Sequence, residues 1–244
     1  MHVAKDINCA TIHGMDYTDA HCHITASVLP HGVAAVITNS ARMSDWGCVA
    51  RIVGAGGIYG AIGVHPWYIS DLPDDWSQKM RELLTHEPAL SVGEIGLDKY
   101  HPDMPHQIDI FKTQIQMARD LDRTAHIHCV GAWGRVIEIL NDTTPSAIVF
   151  HGFDASPEIL DRLLRYNAYF SFGRAICNPT RLRARDALRL VPKNRILTES
   201  DSDNPMDVAP VVRSMSEILS CPTPGIKKTV YDNIMDLLKN GQIT

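Results

Sequence analysis

The stretch Thr18-Asp19-Ala20-His21-Cys22-His23 ends a strand-like segment and carries two histidines two residues apart. In an extended chain, residues two apart point to the same side, so both imidazoles can reach one metal ion. An H-x-H pair alone is a weak signal, because polar residues at a strand end are common. Its weight depends on what stands at the ends of the other strands.

Short apolar segments recur along the whole chain and alternate with helical patterns, which is typical of βα units and a parallel sheet. Eight segments in 244 residues fit a closed (β/α)₈ TIM barrel, a fold of ~250 residues. We therefore predict an α/β fold with a single TIM-barrel domain over residues 1–244, in which residues 1–16 form an N-terminal extension. The predicted strands are Tyr17–His21, Val33–Thr38, Ile58–Val64, Ala89–Ile95, Thr124–His128, Ala147–His151, Ala168–Phe172 and Ile196–Glu199.

Composition narrows the class of protein. Hydrophobic residues make up 45% of the chain and charged residues 21%, which is typical of a globular protein. No apolar run reaches the ~18 residues of a membrane span and the N-terminus does not resemble a signal peptide, so we expect a cytoplasmic protein without membrane contact. The 6 cysteines form no C-x-x-C pair, which argues against a disulfide framework or a thiolate zinc site.

Metal-ligating side chains stand at the ends of four more predicted strands: Glu94 at the fourth, His128 at the fifth, His151 at the sixth and Asp201 at the eighth. Each alone has an ordinary interpretation as a solvated loop residue, a core histidine or a helix cap. A barrel brings all strand ends around one mouth, however, where these folds place their active sites. Side chains of this kind, gathered at one place, would repel one another or lack partners unless positive charge lay between them. Two divalent cations ~3.5–4 Å apart with a bridging carboxylate supply that charge.

With these motifs in order, the sequence resembles the TatD family of metal-dependent deoxyribonucleases and hydrolases, from about Tyr17 to Lys239. The motifs that carry the resemblance are Asp19-Ala20-His21-Cys22-His23, Gly63-Val64-His65-Pro66, Gly93-Glu94-Ile95-Gly96-Leu97-Asp98, the helix with Gln107, Phe111 and Gln114, His128-Cys129, His151-Gly152-Phe153, Glu199-Ser200-Asp201 and Asn233.

The resemblance implies a role for each matching residue. His21 and His23 would bind one metal ion, His128 and His151 the second, and Glu94 would bridge the two. Asp201 would be both a ligand of the first ion and the acceptor of the proton of the attacking water, so Asp201 and Glu94 are the implied catalytic residues. His65 would contact the substrate, although a turn histidine packed under its loop is an equal alternative.

Two departures from the family pattern bear on the substrate rather than on the metals. The stretch Val130-Gly131-Ala132-Trp133-Gly134 replaces a polar segment with Arg and Asp, so a phosphate contact is absent there. Ser200 replaces the usual threonine and keeps its hydroxyl. The four imidazoles favour Zn²⁺ or Mn²⁺, with Mg²⁺ also compatible with the carboxylates.

Three functions follow as hypotheses. The first is a deoxyribonuclease of exonuclease type that cleaves phosphodiester bonds with metal-activated water. The alternative is a hydrolase of small amides, lactones or phosphoesters, since a fold does not fix a function. The third is a metal-loaded binding protein without catalysis, against which Asp201 argues.

Charge limits how nucleic acid would bind. The net charge is −5, so we expect weak binding of DNA or oligonucleotides, without an obligate protein partner. An arginine cluster after the seventh predicted strand is either a nucleic-acid contact or, more in keeping with the acidic residues around it, a solvated helix face. Its members are Arg174, Arg181, Arg183 and Arg185.

Overall fold

The fold is an eight-stranded parallel barrel wrapped by helices. The computed structural model describes residues 16–70 and 72–240, and in these residues the strands pair in sequence order from the first to the eighth. Their bounds are β1 Tyr17–Cys22, β2 Val33–Asn39, β3 Ile58–Ile62, β4 Leu90–Asp98, β5 Ala125–Val130, β6 Ile148–Phe150, β7 Ala168–Phe172 and β8 Ile196–Thr198. All eight predicted strands are therefore confirmed, while the predicted extension over residues 1–16 lies, except for Asp16, outside the described residues.

Helices connect the strands and cover the barrel on the outside. They are α1 Trp46–Ile52, α2 Trp76–His86, α3 Met104–Asp120, α4 Trp133–Asp142, α5 Pro157–Leu163, α6 Leu182–Leu190, α7 Val208–Leu219 and α8 Thr223–Asn240. Helix α5 begins with Ser156 at the N-cap and proline in the first turn, although the Ser156 side chain makes no capping hydrogen bond. Within residues 16–70 and 72–240, no helix is long and apolar enough to cross a membrane.

The first and last strands lie side by side and nearly close the barrel. The Asp201 amide donates to the His21 carbonyl at 3.0 Å, and the His23 amide donates to the Ser202 carbonyl at 2.9 Å. The Thr198 hydroxyl adds a bond to the Thr18 carbonyl at 2.7 Å. Residues 21–23 and residues 201–202 are thus held side by side at one mouth.

Strand β4 is longer than the sequence predicts. It continues to Asp98, because its second half pairs with β5 up to the Asp98–Val130 position. The Gln107 side chain of α3 secures that end by accepting from the Asp98 amide at 2.9 Å and donating to the Asp98 carbonyl at 3.1 Å. Glu94 consequently lies inside the strand and not at its end.

The apolar core lies mainly between the strands and the helices, where α3 buries Phe111 and Ile115 completely. Many of the buried polar side chains, by contrast, belong to the strands or to the residues that follow them. His21, Glu94 and His151 are among these, each at most 8% exposed. The burial of titratable groups at the strand ends marks the site.

Candidate active site

Glu94 is the centre of the site. Its side chain is 5% exposed, and its Oε1 lies 2.8 Å from Nε2 of His151, 3.2 Å from Nδ1 of His128 and 3.3 Å from Nε2 of His65. Its other oxygen, Oε2, lies 3.4 Å from Nε2 of His21. The two oxygens therefore face two different groups of imidazoles. The strand reaches this position through a cis peptide bond between Gly93 and Glu94.

The charge of Glu94 is stabilised by its surroundings. Burial alone would raise the pKa of a carboxyl group, but the imidazoles of His151, His21 and His128 outweigh it and hold the pKa of Glu94 well below its ordinary value. In the same way, burial opposes the charge of His151, whereas Glu94 and Glu199 together raise the pKa of His151 well above its ordinary value. The surrounding imidazoles thus stabilise an anionic carboxylate at the centre.

The first group of candidate ligands comes from β1 and the loop after β8. Oδ1 of Asp201 lies 3.3 Å from Nε2 of His23 and 3.8 Å from Nε2 of His21. Nδ1 of His23 is within 2.9 Å of the Asn39 carbonyl, which can only accept, so this bond leaves Nε2 directed into the site. The ligand atoms of His21, His23 and Asp201 all lie within 4.8 Å of one another.

The second group comes from β5 and β6. Nδ1 of His128 and Nε2 of His151 face each other at 2.9 Å, and both lie beside Oε1 of Glu94. The distances also place His21 near this group, since its ring stacks on that of His151 with centroids 4.0 Å apart. Glu94 therefore stands between both groups of ligands.

His65 lies closer to the ligands than its turn position suggests, because its ligand atom also clusters with those of Glu94 and His128. Nδ1 of His65 accepts the Trp67 amide at 3.1 Å, where it caps the short 3-10 helix Pro66–Tyr68. A neutral imidazole that accepts at Nδ1 carries its proton on Nε2. Nε2 then donates toward Glu94, and this nitrogen has no lone pair for a metal ion.

The donor set fits a metal ion. His21 is completely buried, and neither of its ring nitrogens has a hydrogen-bond partner among the described residues. A buried polar atom without a partner costs ~1–3 kcal/mol. Nitrogen and carboxylate ligands in this number suit Zn²⁺ or Mn²⁺, and a cation at Nε2 of His21 would satisfy one of the two orphaned nitrogens.

Two buried carboxylates support the ligands and were given no role in the sequence analysis. Glu199 accepts from the Ser171 hydroxyl and from the Gly152 amide, and its Oε2 lies 3.7 Å from Nδ1 of His151. Asp98 lies 3.8 Å from Nε2 of His128. Such partners orient imidazole ligands. Their positions within the E-S-D and G-E-I-G-L-D motifs were the only signal in the sequence.

The site opens to solvent through two adjoining cavities. The first, of about 170 Å³, is lined by five of the six candidate ligands, all except the buried His21, together with His65, Trp67 and Tyr68. The second, of about 390 Å³, shares His23 and Tyr68 with the first and adds Arg42, whose guanidinium lies 4.1 Å above the Tyr68 ring. This opening is wide enough to admit more than a bare phosphate.

The arginine cluster is largely engaged with its own protein. Arg183 binds Asp154 with Nε at 2.6 Å, and Arg185 donates to the Ile176 carbonyl at 2.6 Å. Arg174 and Arg181 are exposed. This arrangement favours the interpretation as a solvated face.

Comparison with known proteins agrees with this geometry. The family model described as TatD related DNase matches residues 18–239. An uncharacterized metal-dependent hydrolase of Bacillus subtilis, YabD, is 30% identical over 59% of this chain and 58% of its own length. The human 3'-5' RNA nuclease TATDN2 is 31% identical over 59% of this chain but 20% of its own length, so the chain spans less than two thirds of either relative.

Two further relatives extend the comparison. The 3'-5' ssDNA/RNA exonuclease TatD of Enterobacter lignolyticus is 30% identical over 61% of this chain and 60% of its own length. Among solved structures, the TatD homolog YJJV of Escherichia coli superposes with a TM-score of 0.82 at 22% identity, covering 92% of this chain and 98% of that one. At that identity the superposition supports the fold alone.

Proposed function

The chain belongs to the family of TatD-related DNases, and from this membership we propose that it is a metal-dependent phosphodiesterase that removes nucleotides from the ends of nucleic acids. One observation carries the proposal: the two oxygens of the buried Glu94 face two separate groups of ligands at the open mouth of the barrel. A carboxylate in this position can be shared by two cations.

The proposal assigns each ion its ligands. His21, His23 and Asp201 hold the first, His128 and His151 hold the second, and Glu94 serves both. Two divalent ions at such a site neutralise negative charge on a phosphate and lower the pKa of a bound water toward ~7. The mixture of imidazole and carboxylate ligands favours Zn²⁺ or Mn²⁺, with Mg²⁺ as the alternative.

Asp201 is the proposed proton acceptor for the attacking water. Its side chain is 56% exposed, so a water molecule can reach it from the cavity. The contact with His23 is the largest of the influences that hold the pKa of Asp201 well below its ordinary value, and the group is therefore ionised at neutral pH. An ionised carboxylate at the edge of the site can take up a proton and release it to solvent.

His65 is the proposed donor to the substrate. Its Nδ1 is occupied by the Trp67 amide, so its proton is on Nε2 and faces Oε1 of Glu94 at 3.3 Å. Once metal ions held Glu94, that proton would be free for an oxygen of the scissile phosphate. A donor held in place before the substrate arrives stabilises negative charge without reorganisation. This role agrees with the substrate contact implied by the sequence and excludes His65 from the proposed metal ligands.

The nucleic-acid substrate is inferred from relatives whose names state it, namely the exonuclease from Enterobacter and the human RNA nuclease. The test is to load the protein with Zn²⁺, Mn²⁺ or Mg²⁺ and to incubate it with end-labelled single-stranded DNA and RNA, in parallel with amide, lactone and phosphomonoester substrates. We expect stepwise release of nucleotides that a chelator abolishes. Hydrolysis of a small amide or lactone without any cleavage of the oligonucleotides would contradict the proposal.

A further inference from the structure

We propose that Trp67 is a platform on which an unpaired base of the substrate stacks, and that it restricts this enzyme to single-stranded ends. The proposal rests on the nuclease function proposed above. It concerns a residue that lies beside the ligands and takes no part in holding the metal ions.

The exposure of Trp67 is the first observation. Its surface is 48% exposed, whereas Trp46 and Trp76 are 4% and 8% exposed. An indole left in water forgoes the ~1.5–3 kcal/mol that burial of a large apolar side chain provides. An exposed apolar surface beside a polar cavity marks a binding site more often than a scattered surface residue does.

The position of Trp67 is the second observation. The residue lines the same cavity as Glu94 and three of the ligand histidines, His23, His128 and His151. Its ring lies 5.1 Å from the His65 ring, centroid to centroid, and His65 in turn lies 3.3 Å from Glu94. The indole is therefore separated from the bridging carboxylate by one side chain.

The rigidity of Trp67 is the third observation. Its Nε1–H donates to Oδ2 of Asp98 at 2.8 Å, and Asp98 is itself buried and accepts the Tyr100 amide at 2.9 Å. The indole also packs in near-parallel orientation beside His101, with centroids 5.8 Å apart. An aromatic surface that is fixed before binding loses little conformational entropy when a ligand stacks on it.

These properties suit a nucleobase. Proteins that bind single strands use exposed aromatic rings as stacking platforms, and every base offers a π-face to them. In a duplex, the base is already stacked and paired, so it has to be freed first at a cost. A platform next to the reacting phosphate therefore favours a terminal nucleotide that is already unpaired.

The test compares Trp67→Ala with Trp67→Phe, since phenylalanine keeps an aromatic face but loses the N–H that binds Asp98. Each variant is assayed on a single-stranded oligonucleotide, on the same strand with an abasic terminal nucleotide and on a blunt duplex. Metal content is measured for every protein. Leu190→Ala is the control, because Leu190 is 51% exposed and ends α6 at the opposite face of the barrel.

We expect Trp67→Ala to lower kcat/KM on the single strand by about 10- to 100-fold, the size of a lost base–aromatic stack. The loss should appear mainly in KM, should be small in Trp67→Phe and should be absent on the abasic strand. Trp67→Ala should also lower the preference of the enzyme for the single strand over the duplex. An equal loss on the abasic strand, or an equal loss in both variants, would mean that Trp67 acts through Asp98 and would overturn the proposal.

A binding measurement separates this proposal from the proposed function. Trp67 is the most exposed of the 4 tryptophans, since Trp46 and Trp76 are buried and Trp133 is partly buried. A phosphorothioate oligothymidylate should quench the tryptophan fluorescence of the metal-loaded protein, and Trp67→Phe should remove most of the change. Quenching without any cleavage of ordinary oligonucleotides would refute the nuclease function and leave the stacking site standing. Cleavage of oligonucleotides together with quenching that persists in Trp67→Phe would support the nuclease function and refute the stacking site.

Discussion

Asp201 combines an exposed carboxylate with an unusual backbone conformation. Its φ is +52°, in the left-handed region, which asparagine also tolerates. The substitution Asp201→Asn therefore keeps size and backbone, but the amide cannot accept a proton and binds a cation more weakly. This substitution therefore tests the role of Asp201 in proton transfer without disturbing the fold.

We expect Asp201→Asn to retain much of its metal, because His21, His23 and Glu94 remain, while activity falls by ~10²-fold or more. Metal content by elemental analysis and turnover of an oligonucleotide measure the two effects. The matched control is Asp203→Asn in the same exposed loop, which lies outside the ligand groups. Near-normal activity of fully metal-loaded Asp201→Asn would rule out its role as proton acceptor.

The residues of the site were predictable to different degrees. The six predicted ligands stand at the ends of predicted strands with a recognisable chemistry, and the structure brings the other five, and His65, around Glu94. Their roles as ligands remain predictions. The contact between Trp67 and Asp98 could not be predicted, because it joins the short 3-10 helix after β3 to the last residue of β4 and leaves no periodic signal in the sequence.

At the scale of elements, each group of ligands depends on different strands. Strand β1 supplies His21 and is followed directly by His23, whereas β5 supplies His128 and β6 is followed directly by His151. The groups are joined by Glu94 from β4. The loss of one strand's histidine should therefore affect one ion more than the other.

We expect His21→Ala and His128→Ala each to lower the metal content from about two ions per chain toward one. His86→Ala is the control, since His86 is exposed at the end of α2, away from the mouth. Metal titration followed by calorimetry distinguishes the two sites. If either substitution removed both ions equally, the division of the ligands into two sites would be wrong.

Gly96 permits the close approach of β4 and β5. Its φ is +151°, and a Cβ atom there would lie 1.9 Å from the His128 carbonyl oxygen. We expect Gly96→Ala to lower the free energy of unfolding by about 3 kcal/mol, because alanine is strained at this φ and its Cβ atom would clash with the His128 carbonyl oxygen. Denaturant unfolding measures the change.

The matched control for Gly96→Ala is Gly134→Ala. Gly134 lies in α4, and a Cβ atom there meets nothing within 4 Å. Alanine should stabilise this helix by about 0.5 kcal/mol. If both variants had the same stability, the close approach at Gly96 would not matter for the fold.

The sequence predicted elements better than it predicted their ends. The eight strands were predictable because each is a short apolar run between turn or helix signals. The extension of β4 to Asp98 was missed, because it depends on pairing with Val130. Pairing partners far apart in sequence decide where a strand stops.

At the scale of the whole molecule, the net charge of −5 governs how nucleic acid approaches. Affinity for a single-stranded oligonucleotide should be weak without metal and should fall with salt with a log–log slope shallower than about −2, as fewer than about three phosphates are neutralised by side chains. Fluorescence anisotropy at several salt concentrations measures the slope. Arg181→Gln should leave it unchanged, and a slope near −4, or steeper, would show that the arginine cluster binds the backbone.

The family model spans residues 18–239, which covers the barrel from its first strand to its last helix. The fold class was predictable because eight similar units repeat along the chain. That residues 1–244 form a single domain remains a prediction.

The closure of the barrel has a consequence for synthesis on the ribosome. Along the sequence, the candidate ligands extend from His21 in the first strand to Asp201 after the last strand. The bond between the Asp201 amide and the His21 carbonyl joins these distant parts of the chain. A nascent chain that has exposed only β1 to β6 holds its histidines without the carboxylate that completes the first group. We therefore expect the chain to bind metal late in its synthesis, after β8 and Asp201 have emerged from the exit tunnel.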